Sequence, residues 1–212
     1  MQGISNVSKA VSTKTTHPIL SCIFIEAENG NIKLTANDME IGIESYVEGT
    51  VIEEGKVAIE AKLLSDIVRK LPDSEIHMET NEDFKTTIKC EKSLFTIAGK
   101  SGEDFSSLPV VEKSKYITIS QFTLREIINQ TIFSISDSEY NNVMTGELFE
   151  VSNNRLRVVA IDGHRIAIRN VELKDESQDV KVIVPGKALS YISKIVNGGV
   201  DDDVNIYFAD NN

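Results

Sequence analysis

The chain has 212 residues, of which 41% are hydrophobic and 26% charged, and its net charge is −11. These values fit a soluble globular protein with one large core or two ordinary ones, and they argue against a general nucleic-acid binder. No apolar run approaches the ~20 residues of a membrane span.

A weak helical period covers residues 4–11, and nothing in the first 25 residues resembles a secretory leader, so a cytoplasmic chain is expected. Short runs rich in Ile, Val, Thr or Phe then predict strands over 22–27, 32–36, 41–47 and 57–59. Asn29-Gly30 between the first two is a hairpin signal, because both residues tolerate positive φ. Residues 62–71 predict a helix with Leu64, Ile67, Val68 and Leu71 on one face and Lys62, Asp66 and Arg69 on the other. Strands over 76–79, 86–90 and 94–98 follow, and residues 108–115, charged and without period, read as a linker. Ser120 is a candidate N-cap for a helix over 121–133, with Leu124, Ile127, Ile128 and Ile132 on its apolar face. Further strands are expected over 147–151, 156–160, 166–171, 181–184 and 204–208. A last helix over 187–196 turns Leu189, Ile192 and Val196 inward and Lys187, Tyr191 and Lys194 outward.

Cys22 and Cys90 lie far apart in strand-like patterns and read as buried reduced thiols. His17, His77 and His164 are scattered, and no Cys/His cluster has metal-ligand spacing, so neither metal nor cofactor is expected.

The two halves repeat. Residues 20–43 align without gaps on 144–167 at an offset of 124, with Glu26, Asn29, Ala36 and Asp38 meeting Glu150, Asn153, Ala160 and Asp162. The helices align at an offset of 125, with Lys62, Leu64, Ser65 and Ile67 on Lys187, Leu189, Ser190 and Ile192. Generic hairpin patterning is the alternative, but two blocks on nearly one diagonal favour duplicated domains.

Charge follows the same repeat. Residues 1–25, 62–71 and 185–200 together carry +6, which leaves −17 for the rest. Lys62 and Arg69 are seven residues apart, two helical turns, and so are Lys187 and Lys194. A stripe of one sign in both copies points to an anion-facing surface, and phosphate is the obvious anion. The bland reading is a solvated helix face.

Asp162-Gly163-His164-Arg165 invites a catalytic reading, yet no second group nearby in sequence completes a general base. Its first-copy counterpart is Asp38-Met39-Glu40-Ile41, so the aspartate is shared and structural while Gly-His-Arg is peculiar to the second copy. A feature present in one copy only is the better candidate for a partner site, with a plain turn as the alternative. No enzyme is expected: no phosphate loop, nucleophile motif or catalytic carboxylate pair stands out.

The segments HPILSCIFIEAENGNIKLTANDMEIGI, AKLLSDIVRKLP, LFEVSNNRLRVVAIDGHRIAI and VIVPGKALSYISKIVNGG resemble the bacterial β sliding-clamp family, the processivity subunits of replicative DNA polymerase. VAIDGHRIAI and THPIL are the most specific pieces. The resemblance implies an α+β fold of repeated clamp domains, each a helix pair packed on curved antiparallel sheet, and a homodimeric ring around double-stranded DNA. It implies DNA-facing roles for Lys14, Arg69, Lys70, Lys187 and Lys194, and more weakly Arg125. It also implies a pocket for replicative polymerase, clamp loader and other clamp-binding proteins, whose second-domain side matches Met144, Ile161, Gly163, His164, Arg165 and Ile166. Ile161 stands where the family commonly has a small polar residue.

On this resemblance residues 1–113 are a first clamp domain without its opening strand, 114–212 a second without its closing strands, and the third domain is absent. A truncated fragment of this kind is not expected to close the native ring. The alternative function is a β-rich interaction scaffold with no DNA role.

Overall fold

The computed structural model describes the chain except for residues 13–14, 138–141 and 210–212 and the side chain of Asn142. The described residues divide into two compact units, Met1–Leu108 and Pro109–Asn212.

The first unit opens with a short helix, α1 (Gln2–Val7), a 3-10 turn (Ser8–Ala10) and a second 3-10 turn (Pro18–Ser21). Strands β1 (Cys22–Glu28), β2 (Asn31–Asn37), β3 (Gly42–Val47) and β4 (Gly55–Glu60) lead into α2 (Ala61–Lys70). Strands β5 (His77–Thr80), β6 (Lys85–Cys90) and β7 (Ser93–Lys100) complete a seven-stranded antiparallel sheet in the order β3-β2-β1-β4-β7-β6-β5. Period-two alternation sends Ile23, Leu34, Ala36, Val57 and Ile59 to the helix side, where they form one core with Val7, Leu64, Ile67 and Val68. Each fully buried Leu or Ile there contributes roughly 1.5–3 kcal/mol. On the reverse side, residues 101–108 lie as a strap across the sheet. Phe105 stacks on Phe24 with ring centroids 4.9 Å apart, and Leu108 fills the space that a side chain at Gly42 would need.

The second unit contains β8 (Lys115–Ser120), α3 (Gln121–Thr131), a 3-10 turn (Ile132–Ser134) and another (Asn142–Thr145). Strands β9 (Gly146–Ser152), β10 (Arg155–Ile161), β11 (Ile166–Glu172) and β12 (Val180–Pro185) precede α4 (Gly186–Ile195) and β13 (Asp203–Phe208). The sheet order is β11-β10-β9-β12, with β13 and β8 paired separately. Ser120 caps α3 as its sequence suggests, its hydroxyl accepting the Thr123 N–H at 3.2 Å. The expected linker runs into a strand that was not expected, β8, whose alternating Ile117 and Ile119 are buried against the α3 side of the core.

The repeat seen in sequence is a repeat of geometry. Both pairs of 3-10 turns, and the pairs β1/β9 and β2/β10, are displaced by 124 residues at both ends, and α2/α4 by 125. Asn29 and Gly30 (φ 51° and 74°) turn the first hairpin, and Asn153 and Asn154 (φ 50° and 58°) turn the second. In each unit a strand carboxylate bridges cations on both neighbouring strands. Glu26 meets Lys33 at 2.7 Å and Lys56 at 3.4 Å, while Glu150 meets Arg157 at 3.9 Å and Lys181 at 3.3 Å. Cys22 and Cys90 are buried and free, and burial pushes the Cys22 thiol's pKa up.

Candidate nucleic-acid and partner interfaces

Helix α2 packs by Ala61, Leu64, Ile67 and Val68, which leaves Lys62, Arg69 and Lys70 exposed on its other side. Helix α4 packs chiefly by Leu189, with Ile192 partly buried, and leaves Lys187 and Lys194 exposed while Tyr191 is half-buried. Arg125 on α3 is half-buried, its guanidinium 5.9 Å from the centre of the Phe122 ring. Lys14 lies outside the described residues.

Of the ion pairs among described residues, all but one belong to strands, their turns or the loops beside them: Lys33, Lys56, Arg155, Arg157, Arg165, Lys174 and Lys181 each meet a carboxylate. The exception is Arg69, whose guanidinium stands 4.0 Å from Asp66 with 70% of its side chain exposed. Such a contact holds an arginine weakly and leaves its field open to another anion.

The second candidate site gathers at one end of β10 and β11. Asp162 directly follows β10, and its Oδ1 accepts the amide N–H groups of His164 at 2.9 Å and Arg165 at 3.0 Å. The Arg165 Nε–H donates to Oδ2 at 2.7 Å. The bond from the His164 amide first, then those from Arg165, hold the Asp162 carboxyl below its ordinary pKa. Gly163 sits at φ 88°, a left-handed conformation that suits glycine. The first unit makes the same turn: Asp38 accepts from Glu40 at 3.0 Å and Ile41 at 2.8 Å, with Met39 forced to φ 76°. The aspartate therefore builds the turn in both copies.

Around that turn, Ile161 and Ile166 face each other across the ladder and are 39% and 57% exposed, and Gly163, His164 and Arg165 are exposed as well. Met144, in the Asn142–Thr145 turn, is half-buried, and its carbonyl accepts the Ser136 N–H at 2.8 Å. Three contributors escaped the sequence reading. Phe133 is 56% exposed and lies 5.8 Å beneath the Arg165 guanidinium. Ile168 and Ile183, on the same outward face as Ile166, are 46% and 43% exposed. Their signal was present, since Ile166-Ala167-Ile168 and Val182-Ile183-Val184 are apolar on both faces of a strand where one face would suffice for the core. Among the described residues, no group of three His, Cys, Asp or Glu could hold a metal, and no helix is long and apolar enough to cross a membrane.

Residues 1–109 match the family model for the DNA polymerase III beta subunit, N-terminal domain, and residues 118–212 that for its central domain. A beta sliding clamp from Staphylococcus epidermidis is 39% identical over 216 residues, which cover 98% of this chain and 57% of the relative. Among solved structures, a DNA polymerase III beta subunit from Eubacterium rectale superposes with a TM-score of 0.96 at 56% identity, covering 99% of this chain and 57% of that one. A DNA polymerase sliding clamp from Bacillus subtilis gives 0.94 at 32% identity, with the same coverage. The chain spans a little over half the length of these relatives, and by both domain matches it belongs to the DNA polymerase III beta subunit family.

Proposed function

We propose that the chain forms part of a sliding clamp that holds double-stranded DNA without reading its sequence and tethers a replicative DNA polymerase. The observation that carries this reading is the exposed basic side of the equivalent helix in both copies. Lys62 and Arg69 on α2, and Lys187 and Lys194 on α4, each pair seven residues apart, are exposed on the sides turned away from the core, in a chain whose net charge is −11. Sparse, flexible cations suit phosphates held loosely enough to slide, and acid on the sheets repels DNA from the wrong surface. Arg69, Lys70, Lys187 and Lys194 are assigned to this contact, as are Lys14, which lies outside the described residues, and more weakly Arg125.

The same reading makes Met144, Ile161, Gly163, His164, Arg165 and Ile166 the docking site for apolar segments of polymerase, clamp loader and other clamp-binding proteins. It assigns no catalytic step to any residue. Such a protein works in the cytoplasm, as a ring of two chains when each has the length of the relatives, and residues 1–113 and 114–212 are its first two domains.

Reversing Arg69 and Lys194 to Glu in a chain of the relatives' full length should abolish processive synthesis after loading. Unchanged processivity would remove the clamp reading in favour of a scaffold with no DNA role.

A further inference from the structure

Where the first unit buries Ile23, the second buries a carboxyl. Ile23 and Glu147 are equivalent positions of β1 and β9, 124 residues apart, and each is 0% exposed. Glu147 shares the inward face of β9 with Phe149 and Val151, which are in the core. Its Oε1 accepts a hydrogen bond from the Thr131 hydroxyl at 2.9 Å, and that hydroxyl also meets the Ile127 carbonyl at 2.8 Å. Its Oε2 has no partner. The buried Ser134 hydroxyl, three residues beyond Thr131, has none either.

An ionised carboxylate in this place would exchange its water shell for one hydroxyl, a poor trade in an apolar core. The surrounding elements supply no compensating charge among the described residues. Strand β12 sets Val184 opposite Glu147, and α4 opens at Gly186, closed against Ile135 and Thr145. The titratable groups of the packed helices are Arg125 and Glu126 on α3 and Lys187, Tyr191 and Lys194 on α4. None of them is among the influences on Glu147, which are burial first and the Thr131 bond second. Burial pushes its pKa up to about 7, against the pull of that bond.

The location gives the carboxyl leverage. Thr131 is the last residue of α3, and the 3-10 turn Ile132–Ser134 follows at once, carrying Phe133 beneath Arg165. We propose that Glu147 is a proton-operated latch on the end of α3, which holds the Phe133 turn while the carboxyl is neutral and loosens it on ionisation. The charged form draws water toward the unsatisfied Glu147 and Ser134 oxygens and weakens the packing under that turn. Its effect on partner docking rests on the function proposed above; the latch itself does not.

The sign of the pH effect follows from linkage. The folded chain holds this proton more tightly than an unfolded chain, whose glutamates titrate at about 4.3. Stability from this group is therefore complete below that value, falls as pH rises toward 7, and levels off above it.

The test uses the 212-residue chain with carboxyl-labelled glutamate, followed by NMR across pH 4–9. Glu147 should titrate near pH 7, and the amide signals of residues 132–136 should move with the same midpoint. E147Q, which is permanently neutral, should lack that transition in the turn and lack the extra loss of urea midpoint between about pH 4.3 and 7. E147I, which restores the residue used in the first unit, serves as the second neutral variant. Titration of Glu147 in the ordinary glutamate range would overturn the proposal. So would turn signals that stay still while Glu147 titrates, or that move identically in the neutral variants. No readout involves DNA or a partner, so failure here would leave the clamp reading intact.

Discussion

In the first unit, Phe24, Thr35, Gly42 and Ala58 form an outward sheet face that lies largely beneath the strap carrying Phe105 and Leu108. The equivalent positions in the second unit are Leu148, Val159, Ile166 and Ile183, the last two 57% and 43% exposed. Small residues make room for a strap in one copy, and branched apolar residues meet solvent in the other. An exposed apolar patch rimmed by polar side chains is the usual mark of a docking surface. One fold thus has one face closed by its own chain and, in the other copy, the same face left open. The Asp38 and Asp162 turns, alike in their hydrogen bonds, separate what builds the fold from what the second copy adds: glycine, histidine and an arginine that reaches over Phe133.

The largest expected effect comes from removing the strap's anchor. Phe105→Ala should cost about 3 kcal/mol in the first unit, since it deletes a buried ring stacked on another. Hydrogen exchange resolved by residue should show the loss in strands β1, β2 and β4 and no change in β9–β12. A loss shared by both units would mean that the strap is not local to one face.

Next in size are the two turn aspartates. Asp38→Ala and Asp162→Ala each remove a side-chain acceptor from two amides, and each should lower the urea midpoint of its own unit. Only Asp162→Ala also frees Arg165, so only that variant should weaken binding of a clamp-binding peptide. Equal peptide affinities for the two variants would erase the distinction between the copies.

The smallest effect concerns backbone strain. Met39 holds φ 76° where the second unit uses Gly163 at φ 88°. Met39→Gly should stabilise the first unit slightly, and Gly163→Ala should destabilise the second by about 1 kcal/mol. Thermal denaturation of both variants checks the pair of signs.

Much of this was legible in the sequence because the repeat is gapless where it matters. Alignment of Asn29 with Asn153 and Asp38 with Asp162 places both hairpins and both aspartate turns, and the alternation of Ile and Val sets the inward faces. The helices announced their cationic sides through a seven-residue spacing. The strap was not legible, because residues 101–108 carry no period and their contacts with Phe24 and Gly42 are made across the fold. Strand β8 was hidden because it follows directly on a charged segment without period and runs straight into the N-cap of α3, so residues 116–119 offer only a short alternation. Glu147 escaped notice because a glutamate in an alternating strand is ordinarily read as facing water. Its alignment with the core residue Ile23 was the signal that could have found it.

The central claim is that partners dock on the face the second unit leaves open, and not on the equivalent face of the first. Titrating the isotope-labelled 212-residue chain with a short apolar clamp-binding peptide, and following backbone amides by NMR, tests it most directly. The account predicts shifts at Met144 and across residues 161–168, with the equivalent residues 37–44 unmoved. Shifts confined to the first unit, or spread equally over both, would contradict it.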